Sequence, residues 1–169
     1  MSIEHKPMDM ATSNALERTG TRWNPVVLRL ALGIVFVVSG LGKVLGIGPK
    51  ASGIAGFTDT LAGLGLPFPT LFAWIVGLVE LAGGVLLLAG LFTRYAAGLL
   101  AVIMAVATVL VHLPYGFVAG DGGIEYTLVL TLVSLSLVLS GPGACSLERY
   151  LFDEELFVPA DSSRRQQTG

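Results

Sequence analysis

The chain has 169 residues, of which 53% are apolar, 22 are glycine and only 13% are charged. Soluble domains carry about 45–50% apolar residues with glycine included and about a quarter charged ones, and a small domain buries only about two-thirds of the surface its chain exposes. An ordinary soluble enzyme is therefore excluded. Ten Lys and Arg against twelve Asp and Glu leave no basic excess for nucleic acid, and the single cysteine, Cys145, excludes a disulfide framework or a cysteine-rich metal site. The apolar surplus has to meet lipid.

In chain order, residues 1–24 mix charges with Ser and Thr and read as a flexible polar tail. An apolar stretch over 26–45 follows, with Arg29 and Lys43 placed to snorkel toward the two membrane faces. A cleaved signal peptide is the rival reading, but the preceding segment is long and carries Glu4, Asp9 and Glu17, unlike a short basic leader. Pro49 then interrupts the helix. Ile54, Phe57, Leu61 and Leu64 recur at helical spacing opposite Asp59, which predicts a short interfacial helix closed by Gly65 and Pro67. Its plainest role is that of a connector without a ligand.

The second apolar stretch, 68–92, meets the length of about 20 residues that a span needs, with Glu80 as its only charge. Little beyond Thr93–Arg94 separates it from the third, 95–113, so the two form a tight antiparallel pair with Arg94 at the inner surface. A glycine-rich turn without a basic residue leads to the fourth, 124–140. That stretch is short and carries Thr127, Thr131, Ser134 and Ser136, so it reads as a span packed against its neighbours. Residues 153–169 form a second polar tail, leaving 25–152 as the membrane domain. The expected fold is all-α: a four-helix transmembrane bundle with a short interfacial helix between the first and second spans.

Loop charges set the orientation. With both termini cytoplasmic, the inner segments carry Lys6, Arg18, Arg22, Arg94, Arg149, Arg164 and Arg165, while the outer loops carry Lys50 with Lys43 at the border. The positive-inside rule then predicts a multi-pass protein of the cell membrane with both termini inside. Small-residue stripes supply the packing faces, because lipid removes the hydrophobic drive between helices. They are Gly33 and Gly40; Ala73, Gly77, Glu80 and Gly84; Gly98, Ala101, Ala105, Thr108 and His112; and Thr127, Thr131 and Ser134. Similar openings of the first and third spans, Arg29–Gly33 and Arg94–Gly98, hint at duplication and carry no functional weight.

Glu80 is the sharpest chemical feature. It lies about twelve residues, or roughly 18 Å, into its span, near the bilayer centre. A charge there costs at least about 2.5–3.5 kcal/mol, so it is expected to be protonated or paired. Lys43 lies roughly 9 Å beyond it in depth and Arg29 about 12 Å before it, which favours Lys43 as the partner and leaves Arg29 snorkelling to headgroups. The bland alternative is an ion pair that only locks the helices. His112 ends the third span and is a candidate proton relay or hydrogen-bonding group, with an interfacial structural histidine as the plainer reading. Asp121, Glu125 and Tyr126 cluster at the start of the fourth span, where acids suit the helix dipole. Cys145 reads as a passive thiol. No phosphate loop, Cys-x-x-Cys, zinc motif or nucleophile elbow is present, so no metal is expected and no self-sufficient active site exists.

From Arg29 to Leu151 the chain resembles the DoxX family of small membrane proteins. The resemblance rests on Arg29, Gly33, Phe36, Gly40 and Lys43; Gly65–Leu66–Pro67; Glu80 with Gly83–Gly84; Gly90–Leu91–Phe92–Thr93–Arg94; His112; and Gly141–Pro142–Gly143 with Ser146–Leu147–Glu148. It implies a four-helix membrane protein acting in a quinone- or thiol-linked redox system, in sulfur metabolism or oxidative stress. Arg29, Lys43, Glu80 and His112 would be the intramembrane polar residues, Glu80 the candidate catalytic proton carrier and Arg94 the inner-face turn residue. The chain would hold no intrinsic cofactor. A quinone is the candidate bound group, and a redox protein or a second copy of the chain the candidate partner. Rival expectations are an assembly protein without activity of its own and a small transporter.

Overall fold

The computed structural model describes residues 10–152, with side chains described from Trp23 onward except those of Arg149 and Phe152. The predicted tails over 1–9 and 153–169, with His5, Lys6, Arg164 and Arg165, lie outside the described residues. So do the side chains of Arg18 and Arg22.

Among the described residues the fold is all-helical. Helix α1 runs Met10–Val44, α2 Gly53–Gly63, α3 Pro69–Ala89, α4 Thr93–Ala107, α5 Glu125–Ser140 and α6 Leu147–Phe152. A π-helical turn at Thr108–His112 and a 3-10 turn at Leu113–Tyr115 prolong α4. Three segments are long and apolar enough to cross a membrane: Trp23–Val44, Pro69–Ala89 and Thr93–Tyr115. Helix α5 is apolar but shorter, at 16 residues. Helix α1 differs from the expected 26–45 by starting at Met10, so residues 10–24 continue the helix. The strong helix formers Ala11, Ala15, Leu16, Glu17 and Arg18 favour this, and Pro25 falls inside the helix instead of opening it.

The two tight turns have identifiable causes. Gly90 takes φ 67° after α3; its amide bonds the Leu87 carbonyl, and Leu91 N bonds Leu86 O. This is the Schellman arrangement, and the positive φ suits a residue without Cβ. Gly65 (φ 73°) ends α2 the same way, with Gly65 N on Ala62 O and Leu66 N on Leu61 O. The Gly65 break lies where the sequence places it, whereas the break expected at Thr93–Arg94 falls earlier, at Gly90.

Helix α1 packs most extensively on α3, α3 turns back into α4, α4 packs on α5, and α5 returns to α1. Helix α2 lies against α3 and the end of α1. The close α1–α3 contact depends on missing side chains. A Cβ at Gly40 would stand 2.6 Å from the Leu81 backbone, and one at Gly84 2.7 Å from Val37 N. The interior is filled by Leu32, Phe36, Leu87, Ala97, Leu100 and Leu137, each 1% exposed or less. Large apolar side chains also cover the outside: Val27 and Ile34 on α1, Leu78 and Val85 on α3, Val102 on α4 and Leu132 on α5. Apolar surface on both faces of every long helix suits lipid surroundings.

The small-residue stripes of α1 and α3 hold as read. In α4 the stripe is rotated: Ala97 and Ala101 are buried, but Ala105 is exposed, and Leu100 and Met104 take the inward positions. Counting by helical spacing alone could not resolve neighbouring positions in so Ala-rich a segment, and the π turn then changes the phase before His112.

Candidate functional site

Lys43 Nζ and Glu80 Oε2 are 2.5 Å apart, joining α1 to α3. The Glu80 side chain is 2% exposed and that of Lys43 17%. Lys43 also donates to Ser39 Oγ, one turn back, at 2.8 Å, and its ammonium lies 5.0 Å from the centre of the Phe57 ring on α2. One cation thus meets a carboxylate, a hydroxyl and a π face, which offsets much of the cost of holding it among apolar helices.

This pair lines a cavity of about 540 Å³. Its walls are largely apolar, from Phe36 and Val35 on α1 through Leu61 on α2 to Met104 on α4 and Leu130 on α5. The polar lining is Ser39, Lys43, Lys50, Thr60, Glu80, His112, Tyr126 and Thr127. Phe72 of α3 and Val106 and Leu110 of α4 border the cavity and are themselves 38%, 49% and 50% exposed. The cavity wall is therefore also outer surface between α3 and α4, at the end of the hairpin away from its turn. The arrangement can hold an apolar molecule with its polar end against an embedded ion pair.

His112 reaches the cavity from the π turn, with Nδ1 2.6 Å from Gly122 O. Two residues that sequence reasoning did not assign to a site join it. Lys50 Nζ lies 5.2 Å over the Tyr126 ring, and both residues line the cavity that Glu80 borders. Tyr126 had been grouped with Asp121 and Glu125 as a helix start. Helix α2 is likewise more than a connector, since Phe57, Thr60, Leu61 and Leu64 all face the cavity. No signal in the apolar spacing distinguishes a residue facing a cavity from one facing a neighbouring helix.

Arg29 corrects the sequence expectation. It neither snorkels nor reaches Glu80, and it does not line the cavity. It is 3% exposed and binds backbone carbonyls: Nε to Leu87 O at 2.9 Å and Nη1 to Pro142 O at 2.7 Å. Longer approaches of 3.5 Å reach Leu88, Ala144 and Cys145. The carbonyls at the C-terminus of α3 carry partial negative charge, and a guanidinium with five donors binds Leu87 O beside the Gly90 amide while also reaching Pro142 O. Gly90 leaves room for it, since a Cβ there would lie within about a bond length and a half of the guanidinium, closer than any real contact. Arg94 makes a parallel contact, Nη1 donating to Val138 O at 2.8 Å beside Gly141. Glu148, 2% exposed, accepts from Thr93 N at 3.4 Å, while its own amide donates to Gly90 O at 3.1 Å. These residues form a polar clamp at the turn end of the bundle, apart from the cavity. Cys145 is exposed beside it. Among the described residues no three His, Cys, Asp or Glu side chains gather as a metal site.

A family model described as DoxX matches residues 25–113. The chain is 32% identical over 127 residues to the Bacillus subtilis (strain 168) protein named "Putative oxidoreductase CatD", covering 75% of this chain and 86% of that one. It is 36% identical over 136 residues to an uncharacterized membrane protein of Mycobacterium tuberculosis, covering 75% and 80%. It is 29% identical over 130 residues to the Escherichia coli (strain K12) inner membrane protein YphA, covering 73% and 87%. No solved structure matches the chain significantly. The family match spans the Arg29, Lys43, Glu80 and His112 positions and the cavity-lining helices other than α5: this chain is a membrane protein of the DoxX family.

Proposed function

We propose that the protein is a membrane subunit of a redox system, taking a small lipophilic quinone- or thiol-type compound into the cavity beside Lys43 and Glu80. The observation that carries this reading is the ion pair bordering an apolar cavity of about 540 Å³. Helices that needed only to be tied together would bury such a pair without leaving a chamber next to it. Phe57 and the aliphatic walls suit a ring, and the wall shared with the outer surface between α3 and α4 suits a molecule arriving from the bilayer. Glu80 is the residue placed to pass a proton, with Lys43 setting its charge. The chain shows no cofactor motif, so electrons would come from a partner protein. The relative named as an oxidoreductase supports the redox association.

The same reading makes α5 a fourth span, its 16 mostly apolar residues packed against α4 and α1. It puts Arg94 and both termini at the cytoplasmic face of the cell membrane by charge asymmetry. The second reading is an assembly protein in which Lys43–Glu80 only orients helices. The pair's position on the α1–α3 contact, the most extensive in the bundle, favours it.

The test is purification in mild detergent, lipid extraction and quinone analysis, with Glu80→Gln beside the unmodified protein. A bound quinone lost from a folded variant supports the redox reading. A variant that folds, assembles and supports growth under oxidative stress like the unmodified chain sinks any catalytic role for Glu80. Loss of folding with no bound compound in either protein favours the assembly reading.

A further inference from the structure

The hydrogen-bonding state of the cavity's polar atoms limits what an occupant can present to them. Lys43 is spent on Glu80 Oε2, Ser39 and the Phe57 ring. The second carboxylate oxygen, Glu80 Oε1, has no hydrogen-bond partner among the described residues, and Glu80 borders the cavity. A carboxylate oxygen only accepts. At His112, Gly122 O is a carbonyl and also only accepts, so Nδ1 is the atom that donates across their 2.6 Å contact. In the neutral ring the remaining nitrogen, Nε2, then carries a lone pair, and it too has no partner among the described residues. The groups left open at the deep ion pair and on the π turn are therefore both acceptors. Lys50 supplies the donor capacity, from its place over the Tyr126 ring.

We infer that the cavity selects lipophilic molecules by a hydrogen-bond donor, a ring hydroxyl, offered to Glu80 Oε1 or His112 Nε2. A carbonyl or ether oxygen in the same place would meet another lone pair and leave the acceptors unsatisfied. This deepens the proposed function, on which it rests. Of an oxidised and reduced pair of one ring compound, the hydroxyl-bearing reduced form is the one that satisfies these two acceptors, while a carbonyl finds its donor only at Lys50 or the Tyr126 hydroxyl. No chemical step is implied by the selection itself.

The experiment is equilibrium binding to the full chain in nanodiscs, with empty nanodiscs subtracted to remove partition into lipid. Three probes of similar shape are used: 1-naphthol, 1-methoxynaphthalene and 1,4-naphthoquinone. A hydrogen bond to a charged or buried acceptor amounts to about tenfold or more in affinity. Naphthol is thus expected to bind at least about tenfold more tightly than the ether or the quinone. That margin is expected to shrink in His112→Phe, which keeps a ring on the surface-accessible π turn, or in Glu80→Gln, which keeps the side-chain shape. Equal affinity for the three probes overturns the selection while leaving the cavity a ligand site. A margin unchanged in both variants overturns the assignment of the two acceptors. Binding of none of the three overturns the selection together with the ligand-binding reading.

Discussion

Removing Lys43 and removing Glu80 are expected to have unequal effects, because the two ends of the pair differ in burial. In Lys43→Met the Glu80 side chain, 2% exposed, loses its counter-ion and keeps no other hydrogen-bond donor among the described residues. Breaking a buried pair from one side costs about 3–5 kcal/mol, and the buried acid places this variant at the upper end. In Glu80→Leu the lysine remains, 17% exposed, with Ser39 Oγ at 2.8 Å and the Phe57 ring still beside it. A flexible ammonium stem can also turn toward the cavity mouth, so the loss is expected to be about half as large, roughly 1.5–2.5 kcal/mol. Lys43→Met with Glu80→Leu leaves no uncompensated charge and is expected to recover most of the loss, so the double variant should be more stable than Lys43→Met alone. The assay is reversible unfolding in mixed micelles for all four proteins. Equal losses in the two single variants would refute the argument from unequal burial, and a double variant whose losses simply add would mean the charges do not depend on each other.

Arg29→Leu takes the donor from Pro142 O and leaves Leu87 O with the Gly90 amide alone, and is expected to destabilise by about 1–3 kcal/mol in the same assay, with the 3.5 Å approaches contributing little. A loss under about 1 kcal/mol would mean the clamp is replaceable by water. Gly40→Val would drive a side chain into the Leu81 backbone 2.6 Å away, and it is expected to separate α1 from α3 and abolish the folded monodisperse protein on size-exclusion chromatography; a normal profile would contradict the packing. Cys145 is the chain's single cysteine and is exposed, so a membrane-impermeant maleimide is expected to label inside-out but not right-side-out vesicles. The opposite pattern would reverse the proposed orientation.

Much of the fold is legible because spans are written in composition. The run over 68–92 contains α3 and that over 95–113 covers α4 except its first two residues, since only a helix satisfies the backbone within an apolar segment. Gly65 marked the end of α2, because few other residues accept a positive φ at so small a cost, whereas the break read at Thr93–Arg94 falls at Gly90. The Lys43–Glu80 pairing followed from depth alone, as an isolated acid at that level needs a cation. Arg29 was illegible for the opposite reason. Its partners are backbone carbonyls 58 and 113 residues away, and a carbonyl has no sequence signature. The cavity was hidden too. It depends on residues of α1, α2, α4 and α5 meeting around Glu80 and on α2 packing against α3, which are tertiary choices that helical periodicity does not encode. His112 was named, but its tautomer comes from Gly122 across a turn whose closure only the structure shows.

The central claim is that the cavity around Lys43 and Glu80 is a ligand chamber and not a packing defect. Native mass spectrometry of the protein released from nanodiscs, beside an Ala107→Phe variant, tests it most directly. Ala107 lines the cavity from the last turn of α4, and a phenyl group there would occupy part of the roughly 540 Å³ without touching the ion pair's chemistry. The account expects a small lipophilic adduct on the unmodified protein and its loss from a variant that stays folded. An unmodified protein that carries no adduct even when lipid extract is supplied in excess, or a variant that retains the same adduct, would contradict it.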